Sequence, residues 1–192
     1  MVNKTIKLVE VTGSTGLDPT EAIVKSYFNS GKVLTTITSR DADSLWGKDR
    51  GLGGTYFKWN PSRRSTNRKV TPITLVRKGV SSNVKLHELG HSKISTTRIE
   101  TEGKGGRENP KTFIQEELEA EAFVSESKKR HLSWNQVVNV GLRTSALYKS
   151  SPKSIVRLLS NSLSNLSYAR PNTLVRESLV KAITERKYFE KG

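Results

Sequence analysis

The spacing of apolar residues changes character near residue 80 of this chain, from short β-type runs to helical periods. Ahead of that point, residues 32–38 (KVLTTIT), 54–59 (GTYFKW) and 70–77 (VTPITLVR) are rich in β-branched and aromatic residues. Clusters of Gly, Asp, Asn and Pro separate them, so three strands are predicted. Pro72 is expected at a strand start or on an edge, because proline cannot donate to the ladder. A short helix over 19–29 precedes them. Thr20 is its cap, Glu21 lies in its first turn, Ile23, Val24, Tyr27 and Phe28 recur at helical spacing, and Gly31 ends it. Residues 61–69 (PSRRSTNRK) carry four basic side chains and no large apolar one, as a solvated hairpin tip would.

From Ser81 onward the pattern is helical. Ser81, Ser82 and Asn83 offer capping oxygens to a helix that runs through Val84, Leu86 and Leu89. Residues 101–111 (TEGKGGRENPK) hold three glycines and a proline and read as a flexible connection. Residues 112–129 are strong helix formers with Phe113, Leu118, Ala122 and Val124 apolar. Further helical segments are expected around 134–142, over 155–166 after Pro152, and over 173–188 after Pro171. The fold class that follows is α+β, with a small mixed sheet and a helical C-terminal third. A chain of 192 residues suits one domain in three segments: 1–82, 83–130 and 131–192.

Charge follows the same segmentation. The first segment carries 14 basic and 6 acidic residues, the middle one 9 and 9, and the last 10 and 3, for a net +15. Such an excess favours nucleic acid, an anionic surface or an acidic partner. No apolar run approaches the roughly 20 residues of a membrane span, and the N-terminal stretch lacks a signal-peptide h-region. A soluble, unexported, cytoplasmic protein is therefore expected. With no cysteine in the chain, any transition-metal site must be built from histidine and carboxylate.

Three histidines narrow the search, and two lie in His87-Glu88-Leu89-Gly90-His91. On a helix, positions four apart share a face, so both imidazoles can address one Zn2+ ion. Glu88, beside the first, can then reach a water held on that ion. A third ligand must come from elsewhere. Glu116, Glu117, Glu119 and Glu126 on the following helix are candidates, as is His131, although Lys128, Lys129 and Arg130 beside it suit a solvent-exposed role better.

At these residues the chain resembles the gluzincin metallopeptidases. More closely it is similar to the small intracellular peptidases that cleave phage-type repressors or act in radiation response, and to the metallopeptidase domain of ArdC-type antirestriction proteins. The likeness covers about residues 70–127. In the gluzincin pattern the third ligand is a glutamate in a local E-x-x-(A/S)-(D/E/N) arrangement, and Glu117-Leu118-Glu119-Ala120-Glu121 fits it. The resemblance thus implies Glu117 as ligand and Glu121, one turn on, as the acceptor that fixes an imidazole tautomer. It further implies a minimal zincin fold, an intracellular setting of the virus or mobile-element kind, and a strand over 73–78 forming the rim of the cleft. The intervening Lys128-Lys129-Arg130 departs from the repressor-cleaving group.

The expected chemistry is hydrolysis of a protein or peptide substrate by a zinc-activated water, with Glu88 as general base and the substrate antiparallel along the edge strand 73–78. Tyr148, Tyr168, His131 and Arg143 are candidates for stabilising the oxyanion. The competing expectation is a basic nucleic-acid-binding or virion-associated protein on a zincin scaffold. It would grip phosphates through Arg63, Arg64, Arg68 and Lys69 near the aromatics Tyr56, Phe57 and Trp59.

Overall fold

A computed structural model of the chain describes residues 8–9, 19–48, 51–60, 69–102 and 109–166. It divides into two compact units, Met1–Gly106 and Arg107–Gly192, and the division falls in the glycine-rich stretch read as a connection. Together they form a mixed α+β architecture, and none of the described helices is long and apolar enough to cross a membrane.

Among the described residues the first unit holds a four-stranded mixed sheet and three helices. Strands β1 (Leu8–Val9), β2 (Leu34–Ile37), β3 (Gly53–Asn60) and β4 (Lys69–Arg77) lie in the order β1-β3-β4-β2. β3 and β4 are antiparallel, from Gly53 opposite Val76 to Asn60 opposite Lys69. β1 runs parallel to β3, and β2 parallel to β4. Alternation sorts the side chains to two faces. Tyr56, Ile73 and Leu75 join Ile37 in a core with Val24 of helix α1 (Pro19–Phe28) and Ala42 and Leu45 of helix α2 (Ser39–Trp46). Thr55, Phe57, Thr74 and Val76 lie on the opposite face, where Thr55 donates to the Glu88 carbonyl of helix α3 (Ser82–Glu102) at 3.0 Å.

Helix α2 was not expected, because Asp41 and Asp43 were read as part of an interstrand polar cluster. Its cause is local. Thr38 accepts a hydrogen bond from the Asp41 N–H at 3.1 Å, capping the first turn, while Ala42 and Leu45 sit three apart on the buried face. Arg77 then ties down the segment that follows, pairing with Asp43 at 2.7 Å and donating to the carbonyls of Gly47 and Gly51 at 3.2 and 3.3 Å.

The sheet order also corrects the expectation of an edge strand over 73–78. β4 has β3 on one side and β2 on the other from Thr74 to Val76, so it offers no free edge there. Pro72 still obeys its constraint. It pairs with Phe57 of β3, and the β2 register begins only at Thr74, so β4 is locally an edge where proline sits. Gly79, with φ 85°, takes the left-handed conformation that turns the chain from β4 into α3.

Among the described residues the second unit holds three helices: α4 (Pro110–Ser127), α5 (Trp134–Tyr148) and α6 (Pro152–Asn165). Each begins with a side-chain cap. Asn109 accepts from Thr112 N–H, Ser133 from Gln136 N–H and Ser151 from Ser154 N–H, and Pro110 and Pro152 occupy first-turn positions where no N–H is needed. Ile114, Leu118 and Ala122 of α4 share one core with Val137, Val138 and Val140 of α5 and Ile155 and Leu159 of α6. Each large apolar side chain buried there contributes about 1.5–3 kcal/mol relative to exposure. The helices expected over 112–129 and 155–166 lie within three residues of their observed bounds, and the one around 134–142 continues to Tyr148. The helix expected over 173–188 lies outside the described residues.

Candidate metal centre

The pentapeptide His87–His91 sits in the first half of α3, four residues spanning one turn as its spacing requires. His91 is buried at 2% exposure and His87 is half-buried. Their Nε2 atoms approach to 3.1 Å, with ring centroids 4.7 Å apart and planes at 85°. Two bonds of about 2.0–2.1 Å to a tetrahedral ion would place the nitrogens roughly 3.3 Å apart. The observed separation therefore suits a shared ion, and it also suits a simple hydrogen bond between two imidazoles. A third group separates the two readings, since a hydrogen-bonded pair needs none.

That third group is Glu117. Among the described residues, His87, His91 and Glu117 each offer a ligand atom within 4.8 Å of the others, and together they could hold a metal ion. Glu117 is fully buried in α4, where an isolated carboxylate would be costly. Arg143 of α5 meets that cost in part, its Nη1 lying 2.9 Å from Glu117 Oε2. Two imidazoles and a carboxylate form a mixed nitrogen and oxygen donor set, which suits first-row transition ions better than Ca2+ or Mg2+.

Glu88 follows His87 on α3 and is half-buried. Its side chain lies against β3 at Gly53, where an added Cβ would stand 2.8 Å from Glu88 Cγ and 3.1 Å from Cδ. Only glycine leaves that space. The neighbouring Tyr56 hydroxyl accepts from Trp46 Nε1 at 2.9 Å. Burial pushes the Tyr56 hydroxyl up to about 12, a shift opposed by the Trp46 hydrogen bond and reinforced by the negative charge of Glu88.

The other residues singled out from the sequence distribute as follows. Glu121 is half-buried one turn beyond Glu117 and accepts from Gln136 Nε2 at 2.5 Å. Glu119 is bonded by Gln115, Glu126 is exposed, and His131 is exposed and outside the three-residue group. Tyr148 packs edge-on against Phe113 at 5.7 Å. Arg63, Arg64, Arg68 and Tyr168 lie outside the described residues, and Lys69 opens β4.

Two features were missed. Glu116 is as fully buried as Glu117, although a glutamate-rich helix suggested a solvated face. The signal was present, since 113, 116, 117 and 120 fall on one helical face with Phe113 and Ala120. The Arg143–Glu117 pair had no such signal, because 26 residues and a helix boundary separate its members. Comparison of the chain with protein-family models, curated protein sequences and solved structures finds no match.

Proposed function

We propose that the protein is a zinc-dependent metallopeptidase of the gluzincin type, with His87, His91 and Glu117 as ligands and Glu88 as general base. The observation that carries this reading is the convergence of two helical imidazoles and one buried carboxylate, with an acid directly following the first histidine. Zinc bound there would act as a Lewis acid and lower the pKa of a coordinated water towards 7. Glu88 would accept the proton of the attacking water and return it to the leaving amine. Gly53 keeps the space in which that carboxylate moves. Glu121, anchored by Gln136, is the proposed acceptor for an imidazole N–H.

The substrate would lie against β3 rather than β4. β1 pairs with β3 only at Phe57 and Lys58, so among the described residues the outer side of 53–56 carries no strand. An extended peptide adding there gains main-chain hydrogen bonds next to Glu88.

Two measurements test the reading. Metal analysis of the purified protein should find zinc near one equivalent. Glu88→Gln should keep that zinc and lose peptide-bond cleavage, scored by mass spectrometry on a mixed peptide library. Cleavage by Glu88→Gln at the wild-type rate would remove Glu88 from the mechanism, and a metal-free protein that still cleaves would remove the metal.

A further inference from the structure

The second unit carries a surface that the hydrolytic reading does not use. Besides Arg143, which pairs with Glu117, residues 128–166 contain six Lys or Arg and no Asp or Glu. On α6, Lys153, Arg157, Asn161 and Asn165 recur every fourth residue and all are exposed, while Ile155, Leu159 and Leu163 point into the three-helix core. The outer stripe is therefore cationic and amide-bearing, with Ser154 and Ser164 exposed beside it. No carboxylate on α5 or α6 opposes an approaching polyanion.

The way α6 is mounted is equally specific. Three residues, Lys149 to Ser151, join it to α5. Lys149 adopts the left-handed conformation (φ 50°, ψ 36°), Ser145 Oγ donates to the Ser150 carbonyl at 2.9 Å, and Ser151 caps α6. A short, pinned turn of this length joining two helices, the second presenting polar side chains outward, is a feature shared with helix-turn-helix elements. Packing of α4 behind both helices completes a three-helix support.

From these observations we infer that α5, its turn and α6 form a helix-turn-helix surface for duplex DNA, with α6 entering the major groove. An α-helix about 10–12 Å wide fits a groove about 12 Å across. Lys153 and Arg157 supply cations for phosphates or guanine edges, and Asn161 and Asn165 supply the amides that pair with adenine. Single-stranded nucleic acid fits less well, because base stacking calls for exposed aromatic rings and α6 has none. The inference stands apart from the metal centre and from residues 63–68, which lie outside the described residues.

The experiment uses the full chain and a fluorescein-labelled 24-base-pair duplex of mixed sequence, read by fluorescence anisotropy between 50 and 200 mM salt. Wild type should bind with an affinity that falls as salt rises. Lys153→Gln/Arg157→Gln should reduce the log–log salt slope by about 2 and weaken binding on the order of 10- to 100-fold at 0.1 M. Lys153→Arg/Arg157→Lys should keep the slope, and Lys32→Gln/Lys78→Gln, which removes two exposed charges from the first unit, should change affinity less than about 2-fold. Circular dichroism checks that each variant is folded. The inference is overturned if wild type fails to bind at 50 mM salt, if the α6 pair and the control pair lose equally, or if single-stranded RNA of the same length binds more tightly than the duplex.

Discussion

Helix α3 buries Gly90, His91, Ser92 and Ser95, whereas α4 buries Phe113, Ile114, Leu118, Ala122 and Val124 together with two carboxylates. The first helix meets its sheet on the face that carries Thr55, Phe57, Thr74 and Val76, where the Thr55 hydroxyl donates to the Glu88 carbonyl. The second is held by an apolar core shared with α5 and α6. Their metal-capable groups differ in the same way. His87 and His91 lie four apart on their own helix, so its pitch puts both rings on one face, with Nε2 3.1 Å from Nε2. Glu117 is set by a residue of another helix, the Arg143 guanidinium. One half of the centre is thus local in sequence and the other is not.

The largest effect should come from removing a donor on either side of this contrast. His91→Ala and Glu117→Ala should each weaken zinc binding on the order of 10²- to 10³-fold, the share of one ligand in a four-coordinate site whose total is about 10–16 kcal/mol. Isothermal titration with zinc reads the loss, and the zinc-dependent rise in Tm should disappear in both variants. If His91→Ala binds zinc as wild type does, the imidazole pair is only a hydrogen bond and the contrast between local and assembled ligands has no metal to act on.

A second test examines the face of the sheet opposite α3, where Tyr56 packs with α1 and α2. Because Tyr56 is held neutral in the fold with its pKa raised from 10.0 to about 12, mainly by burial, the unfolded chain ionises first as pH rises. The corresponding stability is complete below pH 10 and is lost between pH 10 and 12, amounting to about 2.7 kcal/mol at most at 1.36 kcal/mol per unit. Urea midpoints measured across that window should fall more steeply for wild type than for Tyr56→Phe. Equal slopes would show that Tyr56 is not the group that carries this alkaline sensitivity.

On the α4 side, Arg143 pairs with Glu117 and, under the proposed function, would act as a positioning residue through that carboxylate. Arg143→Met should lower zinc affinity about 10- to 100-fold, as expected when a partner that orients a ligand is lost. Arg143→Lys, which keeps a cation within reach, should recover part of it. The conservative variant matters, because loss of packing alone would affect both. A Co2+-loaded sample adds a spectroscopic reading, since a reoriented carboxylate alters the visible bands even where affinity changes little.

What could be read from the sequence follows this same division. The HELGH pentapeptide, the helical run after residue 110 and three of the four strands were legible because helical and β periods are local properties. Helix α2 was not, since two aspartates in eight residues masked the Ala42 and Leu45 pair that buries it. The edge position was also misassigned, because strand order depends on which segments pair, and the parallel partner β2 lies 40 residues before Thr74. Arg143 could be named as a nearby functional candidate but not attached to Glu117. The burial of Glu116 was hidden by the glutamates around it.

The finest test of the α3 half concerns space rather than a ligand. Gly53→Ala places a methyl 2.8 Å from Glu88 Cγ and 3.2 Å from the Leu75 carbonyl. The carbonyl belongs to the sheet and cannot retreat, whereas the glutamate is flexible, so relief should come from rotation of Glu88 away from β3. Metal affinity should then stay within about 2-fold of wild type, because no donor moves, while kcat falls by roughly 10-fold through a misplaced general base and KM changes little. Gly54→Ala is the matched control. Its Cβ would meet Trp46 Nε1 at 3.3 Å and the Tyr56 ring at 3.5 Å, on the other face of the strand from Gly53. If both alanines lower kcat alike, the effect is general strain in β3. If Gly53→Ala alone does so, the glycine is there for the acid beside the first histidine.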